Sequence, residues 1–178
     1  WEWEGIVTLY PNESVDEGIP NTFGFVSHWR SVSDYSNSDN ANYVYAMNPP
    51  DDSGDTFVDY YALENLGSMV GTIESVILKT SMISVIGNST SAVGNPASTV
   101  GTANARLYLR LDSNLENSNE FGLSNNWDTY TYSPSKPGGG SWSWTNINDL
   151  ECGVSVQLPE SNQIAACSLV WVEVTFII

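Results

Sequence analysis

The chain has 178 residues, 21 acidic side chains against five basic ones, and a formal net charge of -16. This excess of carboxylates excludes a phosphate-neutralising nucleic-acid binder and a protein docking on an anionic membrane surface. No apolar run approaches the roughly 20 residues that span a bilayer, and a chain of this length suits one domain.

Only 15% of residues are charged, whereas Ser, Thr and Asn together supply 54 positions. Short neutral polar side chains favour turns and strands over helix interiors. The scarcity of Lys, Glu and Gln also removes the usual exposed helix formers. The composition predicts an all-β protein. The first residue is Trp1 rather than Met, and a removed secretory leader is the expected reason.

In chain order, Trp1-Glu2-Trp3-Glu4 alternates aromatic and acidic residues ahead of a strand over Gly5–Tyr10. Residues 1–5 are read as an extension able to act as a donated strand, and 6–178 as the domain. Phe23–Val32, Tyr43–Met47 and Thr56–Tyr61 follow as strands rich in aromatic and β-branched residues. Ile73–Ile86 is long, apolar and of mixed period, which predicts a strand with a bulge or bend. In Ala105–Leu111 the odd positions are apolar, the mark of a half-buried strand. Trp127–Tyr132 alternates Thr with aromatics. A helical turn capped by Thr145 is expected over Thr145–Leu150, before closing strands over Cys152–Leu158 and Ala166–Ile178. About nine strands separated by turn clusters predict a jelly-roll-like antiparallel β-sandwich.

Candidate chemistry is sparse. His28 is the single histidine, and no Gly-x-Ser-x-Gly elbow accompanies it. A strand or surface histidine is preferred to a catalytic one. Two cysteines and one histidine, widely separated, do not make a closed zinc site. Asp51, Ser53 and Asp55 offer oxygens at alternate positions that suit calcium, and Asp34, Asp39 and Asn40 form a second acidic loop. Asp and Asn stabilise turns without metal, so the solvated turn is preferred and calcium is the alternative. Carboxylate pairs such as Glu2 and Glu4 are too common here to support a glycosidase.

Cys152 and Cys167 fall opposite each other if the last two strands form a hairpin about Pro159-Glu160. A cross-strand disulfide there would contribute roughly 3 kcal/mol in the chain-entropy model. That register, however, sets Val154 on the face of Leu169 and Trp171 rather than of Val170 and Val172. Asn12-Glu13-Ser14 and Asn88-Ser89-Thr90 are glycosylation sequons at Asn12 and Asn88. The run Val170–Ile178 is apolar on nearly both faces, as in a strand buried on both sides or completed by a partner.

Leu9-Tyr10-Pro11-Asn12-Glu13-Ser14, Gly71-Thr72-Ile73-Glu74-Ser75-Val76, the stretch Trp142–Val154 and the closing Val170-Trp171-Val172-Glu173-Val174 together resemble a known grouping. It is a jelly-roll family of archaeal and bacterial surface proteins and phage structural proteins. The sequence also resembles carbohydrate-binding sandwich modules. The resemblance spans nearly the whole chain. It implies a fold and a structural setting, and no catalytic residues. The cysteine pair and residues 1–5 lie outside it.

The expectation is therefore a secreted, cell-surface, non-enzymatic subunit of a pilus-like filament, tube or sheath. Its partners are further copies of itself, joined by β-strand exchange through Trp1, Trp3, Val7, Leu9, Trp171 and Phe176. No cofactor is required. One alternative is a secreted glycan-binding or adhesion module in which Trp127, Trp142 and Trp144 stack on sugars. Another is a phage or virion surface or tail protein.

Overall fold

A computed structural model describes residues 2–33, 42–47, 54–87, 93 and 101–178. It is an all-β, jelly-roll-like antiparallel sandwich of two six-stranded sheets. The first half of the chain supplies β1 (Glu4–Leu9), β2 (Pro11–Glu17), β3 (Asn21–Phe23), α1 (His28–Ser33), β4 (Tyr43–Met47), β5 (Asp55–Leu63) and β6 (Thr72–Ile86). The second half supplies β7 (Asn104–Leu111), β8 (Asn114–Asn117), β9 (Phe121–Gly122), β10 (Asp128–Tyr132), α2 (Trp144–Asn148), β11 (Glu151–Leu158) and β12 (Gln163–Ile177). The first sheet runs β10-β6-β12-β4-β3, with β1 also on β12. The second runs β2-β5-β11-β7-β8, with β9 on β7. Eight of the nine expected strands are present, and the four not expected, β2, β3, β8 and β9, are short or lack clean alternation. β2 is almost entirely polar, with PNESVDE as its sequence.

The main core lies between the sheets, where one face of each strand meets its opposite. β7 sends Ala105, Leu107, Leu109 and Leu111 inward, and β12 sends Val170, Val172 and Val174. A smaller cluster covers the outer side of the first sheet at one end. Tyr43, Ile83, Val85, Ile164 and Ala166 are buried there beneath Tyr45, Met47, Val93 and Trp127. Strands buried on both faces lose their alternation, which explains the unbroken burial from Gln163 to Ser168. The irregularity expected near β6 is real. The β6–β12 register shifts between Cys167 and Leu169 and between Thr175 and Phe176, leaving Ser168 as the extra residue on β12 and Glu74 on β6.

The expected strand over Phe23–Val32 is corrected. β3 stops at Phe23, Gly24 takes a positive φ of 95°, and α1 follows. His28, Ser31 and Val32 are its buried residues, a spacing of three and four that belongs to a helix. The expected cap at Thr145 is also corrected. Ser143 caps α2, its hydroxyl accepting from the Asn146 N–H, while the Asn146 side chain accepts from the Ser143 N–H.

The final hairpin does not form. β11 lies between β5 and β7 in the second sheet, and β12 lies in the first. Cys152 is paired in register with Tyr61 and Leu109, Cys167 with Val44 and Met82. The predicted disulfide is therefore corrected: both thiols are free and buried. The face conflict noted for Val154 had this cause, since two strands in different sheets share no register.

Strand exchange is corrected on similar grounds. β1 completes the chain's own sheet, pairing Glu4 with Ile177 through Leu9 with Val172. Beyond it, Trp3 N–H donates to Ile178 O and Ile178 N–H to Trp3 O. Leu9 is fully buried, and replacing such a leucine by alanine costs about 2–5 kcal/mol. β12 is a central strand, with β6 on one side and β4 and β1 on the other, and its outward residues from Leu169 on are only half-buried.

Candidate functional site

The outer face of the second sheet is open and chemically dense. Three adjacent strands, β5, β11 and β7, present it in four cross-strand rows: Thr56-Gln157-Asn104, Val58-Ser155-Arg106, Tyr60-Gly153-Tyr108 and Ala62-Glu151-Arg110. Alternation places these residues outward because their neighbours, among them Tyr61, Leu107, Leu109, Val154 and Val156, fill the core.

The aromatic row is shaped by Gly153. A Cβ there would lie 2.7 Å from Tyr60 Cδ1, so the missing side chain lets the Tyr60 ring lie across the sheet. The Tyr60 and Tyr108 rings sit 5.8 Å apart, tilted by 59°. The Arg110 guanidinium lies 4.2 Å from the Tyr60 ring centre and its Nε donates to Glu151 Oε2. Burial raises the Tyr60 hydroxyl pKa, as does Tyr108, against the lowering pull of Arg110. Tyr108 OH lies 3.3 Å from Ser155 Oγ.

Beside this row is a hollow of about 290 Å³, lined by Thr56, Asn104, Arg106, Tyr108, Glu120 and Gln157 among others. Arg106 Nη2 reaches Glu120 Oε2 at 3.5 Å, and Asn104 Nδ2 donates to Glu120 Oε1 at 3.2 Å. Each arginine on the face thus has a carboxylate partner. The result is a charge-balanced surface of amides, hydroxyls and ion pairs around two aromatic rings.

A second polar feature lies inside the sandwich. Asp59 is fully buried on β5. Its Oδ1 accepts from Ile19 N–H at 2.7 Å; its Oδ2 accepts from Tyr61 OH at 2.7 Å and lies 2.7 Å from His28 Nδ1. Burial pushes the Asp59 carboxyl pKa up, while these hydrogen bonds pull it down. A buried carboxylate is tolerated only when bonded in this way. The expected strand or surface placing of His28 is corrected: it opens α1 and ties that helix to β5. Among the described residues no serine hydroxyl bonds to His28. Ser14 Oγ accepts from Trp29 N–H, and Ser31 Oγ donates to Phe25 O and Ser27 O.

The residues singled out in the sequence are dispersed. Trp1, Asp51, Ser53 and Asn88, and with them Asp34, Asp39 and Asn40, lie outside the described residues. Asp55 is exposed at the start of β5, and Asn12 is exposed on β2. Among the described residues no group of three acidic, histidine or cysteine side chains forms a metal site. Val7 packs on the core. Phe176 is buried beneath Trp3 and Trp144 in edge contacts of 6.2 and 5.1 Å. Trp171, half-buried, donates from Nε1 to Glu173 Oε1. The three tryptophans expected to stack on sugars are half-buried. Trp142 and Trp144 pack on the main core, and Trp127 lies 5.8 Å from Tyr43. Sequence reasoning missed Tyr60 and Tyr108. The signal for Tyr108 was its place between Arg106 and Arg110 on the polar side of a cleanly alternating strand.

No known protein family matches the sequence, and no curated protein does. Among solved structures, a family 61 carbohydrate-binding module in complex with β-1,4-galactotriose is similar at 9% identity and a TM-score of 0.42. The match covers 74% of this chain and 70% of that one. The family 11 carbohydrate-binding module from Clostridium thermocellum, in complex with a β-1,3-1,4-mixed-linked tetrasaccharide, is similar at 10% identity and 0.40, covering 97% and 86%. The active domain of a tailspike protein from bacteriophage CBA120 is similar at 10% identity and 0.41; the match covers 98% of this chain and 19% of that one. None of these likenesses is near enough to assign a ligand, so the site rests on its own residues. No helix among the described residues is long and apolar enough to cross a membrane.

Proposed function

We propose that this protein is a secreted, non-catalytic carbohydrate-binding module that holds a neutral glycan on the outer face of β5, β11 and β7. The observation that carries this is the Tyr60-Gly153-Tyr108 row set among amides, hydroxyls and balanced ion pairs. Sugar rings have an apolar C–H face and a rim of hydroxyls. Aromatic rings suit the first, and Asn104, Gln157, Arg106 and Glu120 suit the second. With both arginines neutralised and a chain charge of -16, the face favours an uncharged polymer over a polyanion. Affinity electrophoresis through gels holding soluble neutral polysaccharides tests it. Wild-type protein is retarded by at least one polymer, and Tyr108→Ala is not. Equal mobility of the two in every gel overturns the proposal.

A self-assembling subunit keeps one observation in its favour. β1 pairs only with β12 among the described strands, and Ile6 on it and Trp3 just before it are 66% and 64% exposed. An unprotected apolar edge is a docking edge. Assembly of this kind adds a copy beside β1 rather than exchanging strands. It predicts a sedimentation coefficient that rises with concentration and stops rising in Ile6→Lys.

A further inference from the structure

The face of the second sheet does not account for the segment between β3 and α1. Phe25 and Val26 are 39% and 96% exposed there, side by side. Two adjoining hollows of about 450 and 400 Å³ share Phe25 and Arg30. Glu17 and Ser27 line the first, Trp29 and Ser33 the second. The Arg30 guanidinium sits 5.1 Å from the Trp29 ring centre.

Three of the five basic side chains are committed to ion pairs: Lys79 to Glu173, Arg106 to Glu120 and Arg110 to Glu151. Arg30 forms none among the described residues, although Glu17 lines the same hollow. The segment is also held from beneath. His28 is fixed to Asp59, Trp29 N–H to Ser14, and Ser31 to the carbonyls of Phe25 and Ser27. A buried His–Asp contact is costly to build, and here it fixes the base of an exposed aromatic cleft.

We propose that this cleft is a second binding site, for a sugar ring that carries one carboxylate, such as a uronate on an otherwise neutral oligosaccharide. The exposed Phe25 ring takes the C–H face, Arg30, lying over the half-buried Trp29 ring, takes the carboxylate, and Glu17, Ser27 and Ser33 take hydroxyls. Arg30 is the one basic side chain lining the two hollows, and one cation suits one charge. A polyanion would need several and would meet the negative field of the whole chain.

The test is titration calorimetry with an oligosaccharide bearing a single glucuronate and with its carboxyl-reduced counterpart. The expected result is binding of the acidic form that is about tenfold tighter than of the reduced form and weakens as ionic strength rises. Arg30→Gln removes that difference, and Arg30→Lys restores part of it. Tyr108→Ala leaves it intact, which separates this cleft from the face of the second sheet. Equal affinity for the two probes, no binding of either, or an Arg30→Gln protein indistinguishable from wild type overturns the proposal. Loss of the acid preference in Tyr108→Ala assigns it to the sheet face instead and overturns it as well.

Discussion

The outer faces of the two sheets were built from the same alternating backbone and put to opposite uses. On the first sheet, one end is closed over by Tyr43, Ile83, Val85, Ile164 and Ala166, with Trp127 and Val93 packed on top. On the second, the corresponding face carries Arg106, Tyr108, Arg110, Glu151 and Gln157 and remains open. Burial on both faces makes that end of the first sheet a structural wall. The second sheet buries one face for stability, which leaves the other free to hold chemistry.

That contrast can be broken by substitution. The largest effect is expected beneath both faces. Asp59→Ala strands His28 and Tyr61 without their partner and costs about 3–5 kcal/mol in denaturant unfolding. On the closed face, Ile83→Ala or Ile164→Ala costs about 2–4 kcal/mol, because each leaves a cavity in a packed cluster. On the open face, Tyr108→Ala costs about 1 kcal/mol or less while abolishing retardation by glycan gels. A stability loss at Tyr108 equal to that at Ile83 would erase the distinction.

Two further expectations sharpen it. Burial raises the pKa of the Tyr61 hydroxyl and of the Cys152 and Cys167 thiols. The folded state therefore keeps protons that the unfolded chain releases. This stabilisation is complete below the unfolded values of about 8.5 to 10 and is lost as the pH rises through the folded ones. Melting temperature should fall steadily above about pH 9, and Tyr61→Phe should flatten the decline. The same thiols should resist a maleimide in native protein and both react in denaturant. The smallest effect belongs to the exposed Arg106–Glu120 pair. Glu120→Gln shifts stability by about 0–1 kcal/mol yet weakens glycan retention.

The sandwich was legible wherever one face of a strand is wet. Ala105–Leu111 showed its odd-apolar pattern and became β7 almost residue for residue. It was illegible where both faces are dry. β11 and β12 looked like hairpin partners because adjacency in sequence was the one guide, and their apolar runs carried no face information. The segment Phe23–Val32 misled because its aromatic and β-branched content suits strands, while its buried set of His28, Ser31 and Val32 has helical spacing. The candidate face was hidden for another reason. Tyr60 and Tyr108 are separated by more than forty positions, and β11, which lies between them, comes later in the chain than either.

The pairing of β1 with β12 joins Glu4 to Ile177, so the first of the described strands closes onto the last. During translation β1 has no ladder to enter until β12 has emerged. Sheets closed across so much intervening chain are slow to nucleate and expose unpaired strands while they wait. Until then Trp3, Ile6, Val7 and Leu9 are part of an unpaired apolar segment.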